Sequence, residues 1–183
     1  MKAIAQIETK QNFTTIHLDA LERFKDPKYK YECLAILIGL DTGLRVSDLL
    51  VLKTNDISYN ELENRFECTS NIQKTKVKDH KTLLSPSTYK AFKSMNLDRG
   101  YIFLNLNTNR LYTRMWLSKR TSLRYGFSFH TLRKISATSV LKEVGLLGAQ
   151  KHLAHKRISS TDKYLGVTEN DHLSRLAGSS LYK

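Results

Sequence analysis

The sequence predicts a mainly helical α+β fold in one domain, with a small antiparallel sheet or hairpin set into it. Three observations carry this reading. Apolar residues recur at helical spacing, with capping residues, along most of the chain. Only one stretch, residues 57–84, switches to an alternating texture rich in threonine and aromatic residues. The chain has 183 residues, 40% of them apolar, and only two prolines, which suits one core without a disordered linker.

Residues 1–13 read as an irregular or strand-like lead-in. Thr14 and Thr15 are the expected caps of a first helix that places Leu18, Leu21 and Phe24 inward and stops before Asp26-Pro27. The most apolar helix is expected over Lys28 to Leu40, with Tyr31, Leu34, Ala35, Leu37 and Ile38 inward. Gly43 supplies the left-handed residue that ends it. A short helix over Val46 to Leu52 follows, with Arg45 at its start.

In the next stretch Glu67, Thr69 and Asn71 alternate with Phe66, Cys68 and Ile72, as in a half-buried strand. Lys74 to Lys81 reads as a very basic hairpin tip, with Thr82-Leu83-Leu84 as the returning strand. Ser85-Pro86 then starts a helix that runs to about Met95. A short apolar run, Tyr101 to Leu104, precedes a polar loop over Asn105 to Asn109. An amphipathic helix is expected over Leu111 to Tyr125, ended by Gly126, and another over His130 to Val144. Gly145 and Gly148 bracket a turn, and short helices are expected near 147–154, 159–165 and 169–177.

Thirty Lys and Arg against seventeen Asp and Glu leave a net charge of +13. On a small domain such a surplus points to a polyanionic partner, nucleic acid first and an anionic membrane second. Cys33 and Cys68 lie far apart without a CxxC companion, so neither a disulfide framework nor a zinc site is indicated. No apolar run approaches the roughly 20 residues of a membrane span, and the start of the chain lacks the apolar region of a signal peptide. The expected setting is intracellular: cytoplasmic and nucleoid-associated.

The chemistry-bearing residues gather late in the chain, with one partner segment upstream. Arg45 opens one predicted helix and Arg133 lies in the first turn of another. A guanidinium grips two phosphate oxygens at once and stays charged at any relevant pH. Tyrosine, with a pKa near 10, is a poor nucleophile unless positive charge and a base stand beside it. Two arginines, several histidines and a tyrosine are the groups needed to hold and attack a phosphodiester without a metal.

These signals fall into a known order. The sequence resembles the catalytic domain of the tyrosine recombinases, the phage integrase family, over about residues 14–177. Thr42-Gly43-Leu44-Arg45-Val46-Ser47-Asp48-Leu49 matches the family's first arginine motif. Gln73-Lys74-Thr75-Lys76 matches the hairpin lysine. His130-Thr131-Leu132-Arg133 matches His-x-x-Arg. Leu153-Ala154-His155 matches Leu-Gly-His, with alanine for glycine. Tyr164 stands nine residues beyond that histidine, after Ile158-Ser159-Ser160-Thr161, which resembles the family's Ile-Ser-Thr-Thr.

The resemblance implies metal- and ATP-independent cutting and rejoining of duplex DNA through a 3′-phosphotyrosine, with no cofactor. It implies roles residue by residue. Tyr164 is the nucleophile; Arg45, Arg133 and His155 stabilise the phosphorus transition state; His130 is the base or proton relay; Lys74 is the general acid, with Lys76 and Lys78 as alternatives on the same hairpin. Asp48 is a supporting carboxylate, orienting Arg45 or His130. The expected DNA-contacting residues are Lys76, Lys78, Lys81, Arg114, Lys119, Arg120, Arg124, Lys134, Lys156 and Arg157. His17, His80, Tyr112, His152 and Tyr182 read as bystanders.

Recombination implies a homotetramer on two duplexes and a monomer when free, with Leu165 to Lys183 as a segment for docking onto a neighbour. About forty residues precede Arg45, too few for the family's N-terminal DNA-binding domain. The chain therefore reads as one catalytic domain, either excised or a compact member like the fimbrial-switch recombinases. Two other readings are a type IB topoisomerase and a non-catalytic DNA-binding regulator that keeps the fold.

Overall fold

The computed structural model describes residues 12–166. Residues 1–11 of the expected lead-in, the expected helix near 169–177, Tyr182 and residues 167–183 of the expected docking segment lie outside them. The helices are α1 (Phe13–Phe24), α2 (Lys30–Thr42), the single turn α3 (Val46–Leu49), α4 (Pro86–Ser94), α5 (Arg114–Tyr125), α6 (Phe129–His152) and α7 (Ile158–Leu165). Strands β1 (Ile57–Asn60), β2 (Arg65–Ile72) and β3 (Val77–Leu84) form an antiparallel sheet in that order. A second pair, β4 (Leu104–Asn105) and β5 (Arg110–Leu111), brackets the polar loop.

Helix α2 is the centre of the molecule. Leu34, Ile36, Leu37, Ile38 and Leu40 are all fully buried, so this helix is apolar all round, as a core helix must be. It packs against α1, α4, α5, α6 and β3. At Gly39 an added Cβ would lie 2.6 Å from Cζ of Phe129, the first residue of α6. The missing side chain lets α6 approach and fixes where its N-terminal turn begins. Gly43 ends α2 in the left-handed region, with φ of 60°, as its sequence position predicts.

Several details differ from the sequence reading. The cap of α1 is Asn12, whose side chain accepts from the Thr15 amide, and not Thr14 or Thr15. Leu18 is 60% exposed; Ile16, His17, Ala20 and Phe24 face the core. The first residues expected in α2 form a separate 3-10 turn, Pro27–Tyr29. Helix α3 stops at Leu49. Leu111 belongs to β5, so α5 starts later, capped by Thr113.

The sheet has three strands, and its basic tip is shorter than expected. The turn occupies residues 73–76, and Val77 to Lys81 already pair with β2. The alternation in β2 also breaks. Glu67 is buried beside Cys68 because Arg65 and Lys81 hold its carboxylate at 2.8 and 3.0 Å. A buried carboxylate persists only with such partners.

Helix α6 is two helical segments that meet at the expected break: Gly145 leaves helical geometry, with φ of 76° and ψ of −176°, and the second segment runs to His152. Gly148, expected at the far side of that turn, lies within the second segment. Among the described residues, no helix is long and apolar enough to cross a membrane.

Candidate active site

Four segments converge on one cleft of 560 Å³: the start of α3, the β2–β3 turn, the N-terminal part of α6, and the stretch from Leu153 through α7. Arg45, Lys74, Thr75, His130, Arg133, His155, Lys156, Arg157, Ser160 and Tyr164 line it. Arg45 is the residue just before α3, in extended conformation, and its Nη1 is buried with no hydrogen-bond partner among the described residues. Arg133 is the fifth residue of α6, one position further in than expected, because α6 begins at Phe129 and not at His130.

Arg133 is 3% exposed. Its Nη1 donates to the carbonyl of Gly43, and its Nη2 donates to the carbonyl of Leu153 at 2.9 Å. Two backbone carbonyls therefore fix the plane of the guanidinium. Burial, and then the nearby Arg45, bring its pKa down to about 10, which leaves it cationic at neutral pH. One buried and one half-buried cation, with no carboxylate hydrogen-bonded to either among the described residues, form a site built for an anion.

Tyr164 projects from α7 between two imidazoles. Its ring meets His130 and His155 edge-on, at centroid distances of 5.6 and 5.7 Å. Its hydroxyl lies 3.4 Å from Nε2 of His130, a long contact of the kind that tightens when substrate arrives. Burial raises the phenol pKa, and Arg133 and Arg45 pull it back down. His130 has its pKa lowered by burial and then by Arg133, Arg45, Lys134 and Lys74. It is a neutral ring able to accept a proton.

His155 is pushed down to about 4, by burial first and then by Arg133, Arg45 and Lys74. Its Nδ1 lies 3.0 Å from Oγ1 of Thr161, which is fully buried, and its Nε2 lies 3.4 Å from Nη2 of Arg133. Ala154, just before it, has φ of 50°. The position of the motif's glycine is thus left-handed here, and the cost of alanine at it is conformational.

Of the hairpin lysines, Lys74 lines the cleft, whereas Lys76 and Lys78 do not. Asp48 is 1% exposed and accepts from the Gln73 amide at 3.2 Å. Among the described residues its hydrogen-bond partner is thus the hairpin turn next to Lys74, not Arg45 or His130.

The expected DNA-contacting residues separate into three groups. Lys156 and Arg157 line the cleft. Lys76, Lys78, Arg114 and Lys119 are exposed away from its lining, and Lys134 is half-buried on α6. Lys81 and Arg124, both exposed, and the half-buried Arg120 are each paired with an acidic side chain. Lys81 pairs with Glu67, Arg120 with Glu32 at 3.0 Å, and Arg124 with Asp19. Those acids are buried or half-buried and need cations, which removes these three from the simple count of free positive charge.

Sequence reasoning passed over Thr161 and His152. Thr161 lies in a quoted motif, but its bond to His155 depends on the turn of α7. His152 carries no motif signal. Among the described residues, no group of three or more histidine, cysteine, aspartate or glutamate side chains could hold a metal ion.

Comparison with known proteins adds an independent line. The sequence model described as "Phage integrase family" matches residues 9–171. No curated protein matches the chain. Among solved structures, the XerH site-specific recombinase bound to its difH substrate, in a pre-cleavage complex, superposes with a TM-score of 0.69 at 16% identity, over 89% of this chain and 51% of that one. The XerA recombinase gives 0.65 at 19% identity, over 90% and 61%. A lambda integrase dimer bound to a COC′ core site gives 0.60 at 20% identity, over 81% and 45%. At these identities the likeness is one of fold. The chain spans about half to three-fifths of the length of these structures.

Proposed function

The chain belongs to the phage integrase family, and from that premise we propose that it is a site-specific tyrosine recombinase acting on duplex DNA. The observation that carries the proposal is the cleft itself. A tyrosine, two arginines, two neutral histidines and a hairpin lysine, drawn from four separated segments, face one space.

In the proposed reaction the Tyr164 oxygen attacks a backbone phosphorus in line and gives its proton to Nε2 of His130. Arg45 and Arg133 hold the non-bridging oxygens, where charge grows in the transition state. His155 donates a hydrogen bond to the same oxygens. The bond to the 5′-oxygen breaks as Lys74 delivers a proton to it. A 3′-phosphotyrosine and a free 5′-hydroxyl remain. A 5′-hydroxyl from a partner duplex then attacks the phosphotyrosine, the protons return, and Tyr164 is regenerated. One phosphodiester is exchanged for another at each step, so neither ATP nor a metal is called for. The protein supplies position and charge.

Exchange between two duplexes calls for four such sites, so a homotetramer on DNA is part of the proposal. The net charge of +13 predicts phosphate-dominated binding that weakens steeply with salt.

The test uses nicked suicide duplexes carrying candidate junctions, incubated with the protein in EDTA and run on a denaturing gel. A protein-linked band in the wild type, lost in Tyr164→Phe with DNA binding retained, is the expected result. A covalent band that persists in Tyr164→Phe would place the nucleophile elsewhere. Binding with no band on any duplex would favour a non-catalytic DNA-binding role.

A further inference from the structure

His152 sits at the last position of α6, and its surroundings are unlike those of a bystander. The Nε2–Cδ2 edge of the imidazole lies against Gly43, where an added Cβ would come within 2.6 Å of Nε2 and 3.0 Å of Cδ2. Nε2 lies 2.8 Å from the hydroxyl of Ser136, one helical segment earlier on α6. The backbone carbonyl of His152 accepts from Nε2 of His80 on β3, at 3.1 Å.

The Gly43 and His80 contacts, and the next residue in the chain, lead to different parts of the cleft. Gly43 stands two residues before Arg45 and offers its carbonyl to Arg133. Leu153, the next residue in the chain, offers the second carbonyl to the same guanidinium. His80 belongs to the hairpin whose turn carries Lys74. One side chain and its own peptide thus tie together the three segments that present Arg45, Lys74 and His155, with Arg133 clamped between two of them.

We infer that His152 is a positioning residue, fixed by Ser136 and His80, that holds the two carbonyls gripping the Arg133 guanidinium in register. The imidazole suits the place for steric and polar reasons. A flat ring fits the space left by the missing Cβ of Gly43, and its polar edge is locked by one hydrogen bond. Leucine fills a similar volume but leaves the Ser136 hydroxyl unpaired. No part of His152 lines the cleft, so it acts through Arg133 and not on the reacting atoms. The bearing of this brace on strand cleavage rests on the proposed function; the brace itself does not.

The test therefore has two arms, both on the full chain. The first reads the Arg133 side chain by nitrogen-15 NMR, with its signals assigned by their loss in Arg133→Lys. Two carbonyl bonds hinder rotation of the guanidinium, so the wild type shows resolved, slowly exchanging Nη protons. In His152→Leu and in Ser136→Ala these signals broaden or vanish, and in His152→Gln they return. The second arm reads single-turnover cleavage of the suicide duplex. His152→Leu slows it roughly tenfold or more while DNA affinity stays within about twofold, the mark of lost positioning. His152→Gln recovers most of the rate.

Unchanged Arg133 signals in folded His152→Leu would overturn the inference. If His152→Leu does not fold, Ser136→Ala decides the matter by the same signals, because it keeps the ring and removes only the bond. If the wild type cleaves nothing, the recombinase reading falls, and the Arg133 signals still settle the brace.

Discussion

Nδ1 of His155 lies 3.0 Å from the buried hydroxyl of Thr161, while Nε2 of the same ring faces Nη2 of Arg133 at 3.4 Å. The ring is neutral at pH 7, so it carries a single N–H. With Arg133 donating toward Nε2, that proton sits on Nδ1 and points to Thr161. To donate to a phosphate through Nε2, the ring needs the other tautomer, with Thr161 donating to Nδ1. A hydroxyl can rotate to serve either state. Thr161→Val keeps the shape and removes this partner. Single-turnover cleavage falls roughly five- to tenfold, the worth of one hydrogen bond of about 1 kcal/mol. DNA affinity is unchanged, and Thr161→Ser restores the rate.

Lys74 is argued to protonate the leaving 5′-oxygen, which predicts a substrate-dependent defect. Lys74→Ala slows cleavage of ordinary DNA by about 10²–10⁴-fold, the usual range for a general acid. Replacing the bridging 5′-oxygen by sulfur removes the need for the proton, since a thiol has a pKa of about 8.5 and leaves as the anion. On that substrate Lys74→Ala approaches the wild-type rate. Lys76→Ala and Lys78→Ala show no such pattern, because neither side chain lines the cleft. A defect in Lys74→Ala that sulfur does not relieve would assign Lys74 to binding instead.

The spacing motifs were legible because the chemistry tolerates few residue types at fixed short intervals. His130 and Arg133 share one turn of α6, and His155 and Tyr164 are joined by a single short helix. Local sequence is enough to set such relationships. It is not enough for Arg120 or Arg124, whose acidic partners Glu32 and Asp19 come from helices far upstream. Nor does it reveal His152, whose neighbours Gly43, His80 and Ser136 meet only in the folded chain. Asn12 was missed as a cap for a smaller reason: the two threonines after it compete for the same role by type alone. In the sheet, the side chains of Val77 to Lys81 gave no sign that the strand had begun, because its outward face is polar and basic.

Two opposite single-carbon changes probe the backbone around the cleft. Ala154 has φ of 50°, where a β-carbon costs about 1–2 kcal/mol. Ala154→Gly relieves that cost and returns part of it as chain entropy, for a net gain of roughly 0.5–1 kcal/mol. Gly39→Ala pushes a Cβ to within 2.6 Å of Cζ of Phe129, a fully buried ring. Overpacking of that kind costs about 1–3 kcal/mol. Urea unfolding followed by circular dichroism should shift the two midpoints in opposite directions.

Stability should fall in mild acid, and the direction follows from the buried rings. His152 is held down to about 4 by burial first, then by Arg133 and His80, which face it. In the unfolded chain a histidine titrates near 6.5. Between these values the unfolded state binds the extra proton and the folded state does not, so stability is present above about pH 6.5 and drains away as pH falls toward 4. His155 and His80, both lowered by burial first, act in the same sense. One such group gives a slope of at most about 1.4 kcal/mol per pH unit. Thermal unfolding between pH 7 and pH 4.5 should therefore show a falling midpoint, and His152→Leu should flatten part of that fall while lowering the midpoint at pH 7. An equal slope in the two proteins would mean that the His152 ring takes up its proton in the folded state near its ordinary value.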